Sequence, residues 1–176
     1  FWFRILVDIT VAAWIILALS EVKYRPRISG IVWSFGALLI IMFFANLFGL
    51  HPDTSFWSNF ERMDGYVSLV HTFLYMLVLG SVLQTKKQWN ILLNVSLVVA
   101  TIVALRGLQQ YLGAAEGSTR VDSTLGNAAY MAVYMLFHIF ISFWLFVESK
   151  VPWQKAVYAL LLPLFVFILF DSCRQF

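Results

Sequence analysis

Charged residues are scarce in this chain: Asp, Glu, Lys and Arg make up 12% of its 176 residues, while 61% are hydrophobic. With a mean hydropathy of +0.83, the chain has too few polar groups to cover a surface that faces water. Its one cysteine, Cys173, excludes an intrachain disulfide. The scarcity of charge therefore predicts an all-α fold, a polytopic transmembrane helix bundle.

The sequence also lacks the motifs that are typical of nucleic-acid binding, metal binding, phosphate binding and nucleophilic catalysis. There is no dense basic patch with interleaved aromatic residues, so nucleic acid is not an expected partner. There is no HxxH or HExxH spacing, no Cys/His cluster, no phosphate-cradling glycine loop and no nucleophile elbow, so we expect neither a metal nor a cofactor. His71 and His138 are accordingly predicted to be buried, hydrogen-bonded groups within the bundle.

Hydrophobic runs of about 20 residues, the length that crosses a bilayer, divide the chain into six predicted helices. We predict a single transmembrane domain over residues 1–176, with helices at about 4–20, 28–50, 66–84, 90–112, 127–147 and 156–171. The chain lacks an initiator Met and enters its first helix at once. We therefore expect it to be an internal piece of a longer protein, with a further helix before the first one.

The basic residues separate by type along these helices. All five lysines fall in the loops that follow the odd-numbered helices. Lysine in short loops marks the cytoplasmic side, so the lysine-bearing loops are predicted to be cytoplasmic and the opposite loops periplasmic. The opposite side carries only arginines: Arg4, Arg62, Arg106, Arg120 and Arg174. Because a planar guanidinium binds phosphate or carboxylate at two points, this side is predicted to bind an anion.

Arg62 lies between two carboxylates, Glu61 and Asp64, directly before the third predicted helix. One interpretation is an interfacial ion pair at a helix start, where Asp64 would be favourable. The other is that Glu61 and Asp64 orient Arg62 toward an anionic ligand.

Three further arginines allow the same pair of interpretations. Arg120 precedes residues 123–127, which offer capping side chains at a helix start that could attract phosphate, although a plain loop with an ordinary cap fits equally well. Arg106 lies within the fourth predicted helix, where an ionisable residue indicates a functional site unless it snorkels to the headgroups. Arg174 follows Asp171 by three residues, and a local ion pair is the simpler explanation there.

Three segments together resemble the O-antigen ligase and O-antigen polymerase superfamily. Residues 56–65 (FWSNFERMDG) resemble its first periplasmic loop, and residues 120–130 (RVDSTLGNAAY) resemble its R…xTLGNP segment at a helix entry. Residues 171–174 (DSCR) are similar to the start of its T-x-S-R-G-A segment. The resemblance covers nearly all of this chain but only about the N-terminal half of a family member. The chain departs from the pattern where Ala128 replaces a common proline and Gln175 replaces glycine.

The resemblance implies a glycosyltransferase of the GT-C type in the bacterial inner membrane, as in lipopolysaccharide biosynthesis. Such proteins take a glycan from an undecaprenyl diphosphate carrier on the periplasmic side, without a metal, and attach it to a lipid, glycan or protein acceptor. By this resemblance Arg62, Arg120 and Arg174 would bind the donor diphosphate. Arg106 is added to these candidates because it lies within a predicted membrane helix, not because of the resemblance. Supporting roles would fall to Glu61, Asp64, Asp122 and Asn127.

The family's catalytic histidine lies in a large periplasmic loop that is expected beyond Phe176. This part alone is therefore expected to be inactive, and no general base is predicted within it. The sequence names neither the glycan nor the acceptor.

Two other functions stay open. One is a non-catalytic accessory subunit whose outer loops are covered by protein partners in the membrane. The other is a transporter of anionic lipids, for which His138 is, apart from Arg106, the only titratable residue deep in a predicted helix.

Overall fold

The computed structural model describes residues 2–49, 51–58, 65–113 and 121–173. It is 87% helical, and these ranges contain no strand, which confirms the all-α fold class. Their seven α-helices are α1 (Trp2–Ser20), α2 (Gly30–Leu47), α3 (Pro52–Trp57), α4 (Tyr66–Val82), α5 (Lys86–Gly113), α6 (Ala128–Glu148) and α7 (Pro152–Cys173). Short 3₁₀ turns occur at Val22–Tyr24 and Ser123–Leu125.

Five of these helices, α1, α2, α5, α6 and α7, are long and apolar enough to cross a membrane. The chain is therefore a multi-pass membrane protein. The remaining predicted span, α4, is apolar but has only 17 residues. It is about 25 Å long at 1.5 Å per residue, a little less than the roughly 30 Å hydrocarbon core of a bilayer.

All six predicted helices are present, with ends that differ by up to four residues. The segment 51–65, predicted as a loop, also contains the short helix α3. Pro52 favours a helix at this point because its fixed φ suits the first helical position, where a missing N–H is no loss. Residues 86–89, of which Lys86, Lys87 and Gln88 are polar, belong to α5 instead of the preceding loop, since a helix can continue past the apolar layer.

The described helices form two compact units, Phe1–Thr85 and Lys86–Phe176. The single domain over residues 1–176 stays a prediction.

In the first unit, α1 and α4 lie side by side in the same direction. Near their starts Arg4 Nη2 donates to Ser68 Oγ at 2.8 Å, and beyond their ends Gln84 Nε2 donates to the Lys23 carbonyl at 2.5 Å. Lys23 itself pairs with Glu21 at 2.8 Å, and the hydrogen bond to that carboxylate raises the pKa of the lysine. Two parallel neighbours separated by α2 fit the alternating directions of the predicted spans.

In the second unit, α5 presents small side chains to α6 and α7. Ala100, Ala104 and Gly107 are buried along one face of α5, together with the larger Leu97. Small residues let helices approach closely, which is how helices associate in lipid. The core opposite them is formed by Met131, Met135, Leu145, Tyr158, Phe165 and Ile168.

The second unit has two polar ends. At the first, Lys86 pairs with Glu148, and Ser149 Oγ donates to Gln154 Oε1 at 3.0 Å. We call the other the Gln110 end, and it comprises residues 103–113, 121–131 and 168–173. The predicted loops thus alternate between two ends, and their assignment to membrane sides stays a prediction.

Candidate functional site

We call residues 56–65, 120–130 and 171–174 the first, second and third motif. Gln110 fixes the described part of the second motif to α5 at the Gln110 end. Gln110 Nε2 donates to Asp122 Oδ1 at 2.8 Å. Its Oε1 accepts from the backbone N–H groups of Ser123 at 2.8 Å and Asp122 at 3.3 Å. Ser123 Oγ adds a bond to the Val103 carbonyl at 2.8 Å. The turn at residues 122–123 is therefore bonded to α5 at Val103 and at Gln110, positions about two helical turns apart.

The same segment approaches α5 closely at Gly107. Val121 is 3% exposed, and a Cβ added at Gly107 would lie 3.0 Å from Val121 Cγ1 and 3.3 Å from Met131 Cε. Both distances are tighter than ordinary van der Waals contact. A glycine at this position lets the motif rest directly on the helix backbone.

The third motif meets the second at this point. Ser172 Oγ donates to the Val121 carbonyl at 2.9 Å, although the two residues are 51 positions apart. The neighbouring Asp171 is 8% exposed, and its carboxylate makes no hydrogen bond or ion pair with another residue in the described ranges.

Arg106 lies one turn before Gln110, and residues at this spacing are neighbours on a helix surface. Its side chain is exposed and has no hydrogen bond or ion pair with the described part of the chain. It stands seven residues before the end of α5 at Gly113, which is about 10 Å along the axis. That depth suits either snorkelling or contact with a lipid phosphate, and both interpretations remain.

Of the other predicted site residues, Asn127 and Asp122 are described by the structure and the remaining ones are not. Asn127 is the N-cap of α6, and its side chain accepts from the Ala129 N–H at 2.8 Å, which is the ordinary capping interpretation. Asp122 is held by Gln110. Five predicted residues lie outside the described residues, and their roles stay predictions: Arg62, Arg120, Arg174, Glu61 and Asp64.

The first motif is described only at its two ends, which touch. A Cβ added at Gly65 would lie 2.4 Å from the Phe56 carbonyl oxygen and 2.7 Å from the Ser58 nitrogen. The Phe56 ring also makes an edge contact with Tyr66 at 5.4 Å between ring centroids. The described residues Phe56 and Ser58 therefore lie against Gly65 at the start of α4.

The two helix-borne histidines are both hydrogen-bonded, as predicted, but only His138 is buried, whereas His71 is half-buried. His138 is 5% exposed, with Nδ1 2.8 Å from the Tyr134 carbonyl and Nε2 2.9 Å from Ser96 Oγ. His71 has Nδ1 2.6 Å from the Val67 carbonyl and Nε2 3.2 Å from Asp8 Oδ1.

Replacing Gln110 with leucine is expected to detach the second motif from α5. The change leaves the Asp122 carboxylate and the Ser123 N–H without their partner, and each unmet group costs about 1–3 kcal/mol where it is buried. The measurement is the thermal unfolding midpoint in detergent, compared with Gln109→Leu. Gln109 is exposed and has no described partner, so an equal effect of the two substitutions would contradict the role of Gln110.

Sequence reasoning missed the residues that assemble this end. Gln110 and Gly107 lie outside every motif, and Ser172 lies within residues 171–174 but had no role assigned to it. Their signals were a glycine beside Arg106 and a hydroxyl beside Asp171. No protein-family model, curated protein or solved structure matches this chain at a significant level.

Proposed function

We propose that this chain is the donor-binding part of a membrane glycosyltransferase of the glycan ligase or polymerase type. It takes a glycan from an undecaprenyl diphosphate carrier at the periplasmic face of the bacterial inner membrane. The acceptor is a lipid, another glycan or a protein hydroxyl. The single observation that supports this most directly is the hydrogen bond from Ser172 Oγ to the Val121 carbonyl.

This bond matters because it joins two segments that carry the family resemblance. Val121 follows Arg120 in the sequence, and Ser172 precedes Arg174 by two residues. Two motifs far apart in the chain thus share one end of one unit, beside the turn of α5 that bears Arg106. Motifs that serve a common ligand need such an arrangement, whereas unrelated loop segments do not.

Cleavage of a sugar–diphosphate bond is a reaction that fixed cations can promote. Breaking the bond between a sugar and a diphosphate develops negative charge on the leaving phosphate. Preorganised donors in a site with little water stabilise that charge without solvent reorganisation. Arginine suits the task because it keeps its charge and binds phosphate oxygens in pairs.

Arg106 gives the proposal a test at a described position. Purified protein in lipid nanodiscs is expected to bind undecaprenyl diphosphate, and Arg106→Ala is expected to raise the Kd about tenfold, which corresponds to loss of about 1.4 kcal/mol. Arg27→Ala is the matched control, because Arg27 is exposed in the predicted cytoplasmic loop.

The outcomes separate the competing interpretations. An unchanged Kd for Arg106→Ala would assign Arg106 to snorkelling only. A wild-type protein that fails to bind the carrier would contradict the proposed function and would favour the accessory subunit.

A further inference from the structure

A polar cavity of about 160 Å³ opens in the second unit, at the end where Lys86 pairs with Glu148. All three long helices of that unit contribute polar side chains to its wall: Asn90 and Asn94 from α5, Glu148 from α6, and Gln154 and Tyr158 from α7. Asn94 lies eight residues after Lys86, the first residue of α5, which is about 12 Å along the axis. The cavity therefore reaches from the polar end of the unit into the apolar part of α5.

The cavity wall combines a fixed hydrogen-bonded pair with groups that are not used. Tyr158 Oη donates to Asn94 Oδ1 at 2.6 Å, and Asn94 Nδ2 donates to the Asn90 carbonyl at 2.7 Å. The side-chain amide of Asn90 makes no hydrogen bond within the described part of the chain, and neither does Gln154 Nε2. Glu148 forms its ion pair through Oε1, which leaves Oε2 open. The wall thus offers amide donors and a carboxylate oxygen to a ligand.

An apolar groove of about 310 Å³ adjoins this cavity between α5 and α7. Asn94 and Tyr158 line both spaces, which meet at the hydrogen bond between these two residues. From Asn94 the groove follows α5 to Ile102, about 12 Å further along the axis. Val98 and Ile102 on its wall are 62% and 57% exposed, so this surface is open to hydrocarbon in a membrane. A polar space at one end of an apolar groove fits an amphiphile.

We propose that the cavity and the groove together bind one phospholipid whose headgroup ends in a primary ammonium. An acyl chain lies in the groove between α5 and α7, and the headgroup enters the cavity. The ammonium donates to Glu148 Oε2 and to the side-chain oxygen of Asn90, while the phosphate accepts from Gln154 Nε2. This site lies at the opposite end of the unit from Gln110, and it does not rest on the proposed glycosyl transfer.

The charge of the cavity selects this headgroup over others. Among the described residues that line it, only Glu148 is charged, and a carboxylate repels a headgroup that carries net negative charge. A quaternary ammonium has no N–H, so it cannot make a charge-assisted hydrogen bond to this carboxylate. A primary ammonium has three donors and meets both requirements.

The lysines around the cavity do not select among headgroups. Each can attract the phosphate of any phospholipid, and together they favour anionic lipids over zwitterionic ones. Four lysines occur at this end of the unit: Lys86, Lys87, Lys150 and Lys155. A preference for a zwitterionic headgroup would therefore have to come from the cavity itself.

Native mass spectrometry of the purified protein tests this selection. The protein in detergent is mixed with equal amounts of phosphatidylethanolamine, phosphatidylcholine and phosphatidylglycerol that have identical acyl chains. We expect retained phosphatidylethanolamine to exceed phosphatidylcholine about tenfold, the effect that one hydrogen bond to a charged group typically produces. Equal retention of these two lipids overturns the proposal. Equal or greater retention of phosphatidylglycerol also overturns it, because lysine charge alone would then explain binding.

Glu148→Gln is expected to remove the preference for phosphatidylethanolamine, because the amide that replaces the carboxylate has no charge. Glu21→Gln is the matched control, since Glu21 also pairs with a lysine, Lys23, at 2.8 Å but belongs to the other unit. A preference that survives in Glu148→Gln, or that Glu21→Gln abolishes equally, contradicts the role of the cavity.

Val98→Trp is expected to fill the groove and to lower the retention of phosphatidylethanolamine severalfold. Val99→Trp is the matched control, because Val99 is exposed on the same helix but does not line the groove. Both side chains lie outside the core, so both variants should keep the thermal unfolding midpoint of the wild type. Equal retention of the lipid by the two variants overturns the placement of the acyl chain in the groove.

Discussion

Replacing Arg62 or Arg120 with alanine is expected to lower glycan transfer by about a hundredfold or more, while membrane insertion stays unchanged. Each substitution removes a fixed cation that would stabilise the negative charge developing on the leaving diphosphate. Loss of one such donor typically has an effect of this size. Both arginines belong to the motifs that carry the family resemblance. The measurement is transfer from an undecaprenyl diphosphate-linked glycan by the full-length protein in proteoliposomes.

Two comparisons sharpen this experiment. Arg62→Lys and Arg120→Lys keep the charge but lose the planar fork, so partial activity is expected if charge dominates and little activity if two-point binding dominates. Arg27→Ala, in the predicted cytoplasmic loop, should transfer normally. Normal transfer by both Arg62→Ala and Arg120→Ala would refute the assigned roles and the function built on them.

Gly65→Ala is expected to disrupt the first motif at its base. The added Cβ would lie 2.4 Å from the Phe56 carbonyl oxygen, and backbone atoms cannot rotate away as a side chain can. Forcing atoms into such a contact typically destabilises a protein by about 1–3 kcal/mol. Because the shift moves both ends of the segment that contains Arg62, we expect transfer to fall together with the thermal unfolding midpoint in detergent.

Gly80→Ala is the matched control for this substitution. Gly80 lies within α4, the helix that Gly65 precedes as N-cap, and a Cβ at Gly80 would have no neighbour within 4 Å. Alanine is also the better helix former, so this variant should be as stable as the wild type or slightly more stable. Equal behaviour of Gly65→Ala and Gly80→Ala would contradict the close contact at the motif's base.

The helices were largely predictable because each rests on a local property. Apolar runs such as those of α1 and α6 identify a membrane helix from composition alone, since the bilayer demands both length and apolarity. Helix α3 escaped prediction because its six residues contain a proline, an aspartate and two hydroxyls, a composition that also suits a loop.

The candidate site was predictable only in part. Motif residues such as Asp122 and Asn127 could be named, but their partners could not, because Gln110 has no special sequence pattern. The bond from Ser172 to Val121 crosses 51 positions, and hydrophobic periodicity says nothing about such pairings. The neighbours of His71 were missed for the same reason, since Asp8 lies on a different helix.

Pro163 lies in the middle of α7, and its position has a mechanical consequence. Proline has no N–H, so the Ala159 carbonyl loses its usual helical partner and the helix resists bending least at this level. The half of α7 beyond Pro163 bears Phe165, Ile168 and Ser172, and a hinge of 20° would swing its tip by about 5 Å over a lever of roughly 13 Å. Such a bend would act on the hydrogen bond from Ser172 to Val121, whereas Tyr158 and Gln154 lie before the proline and would keep their hydrogen bonds.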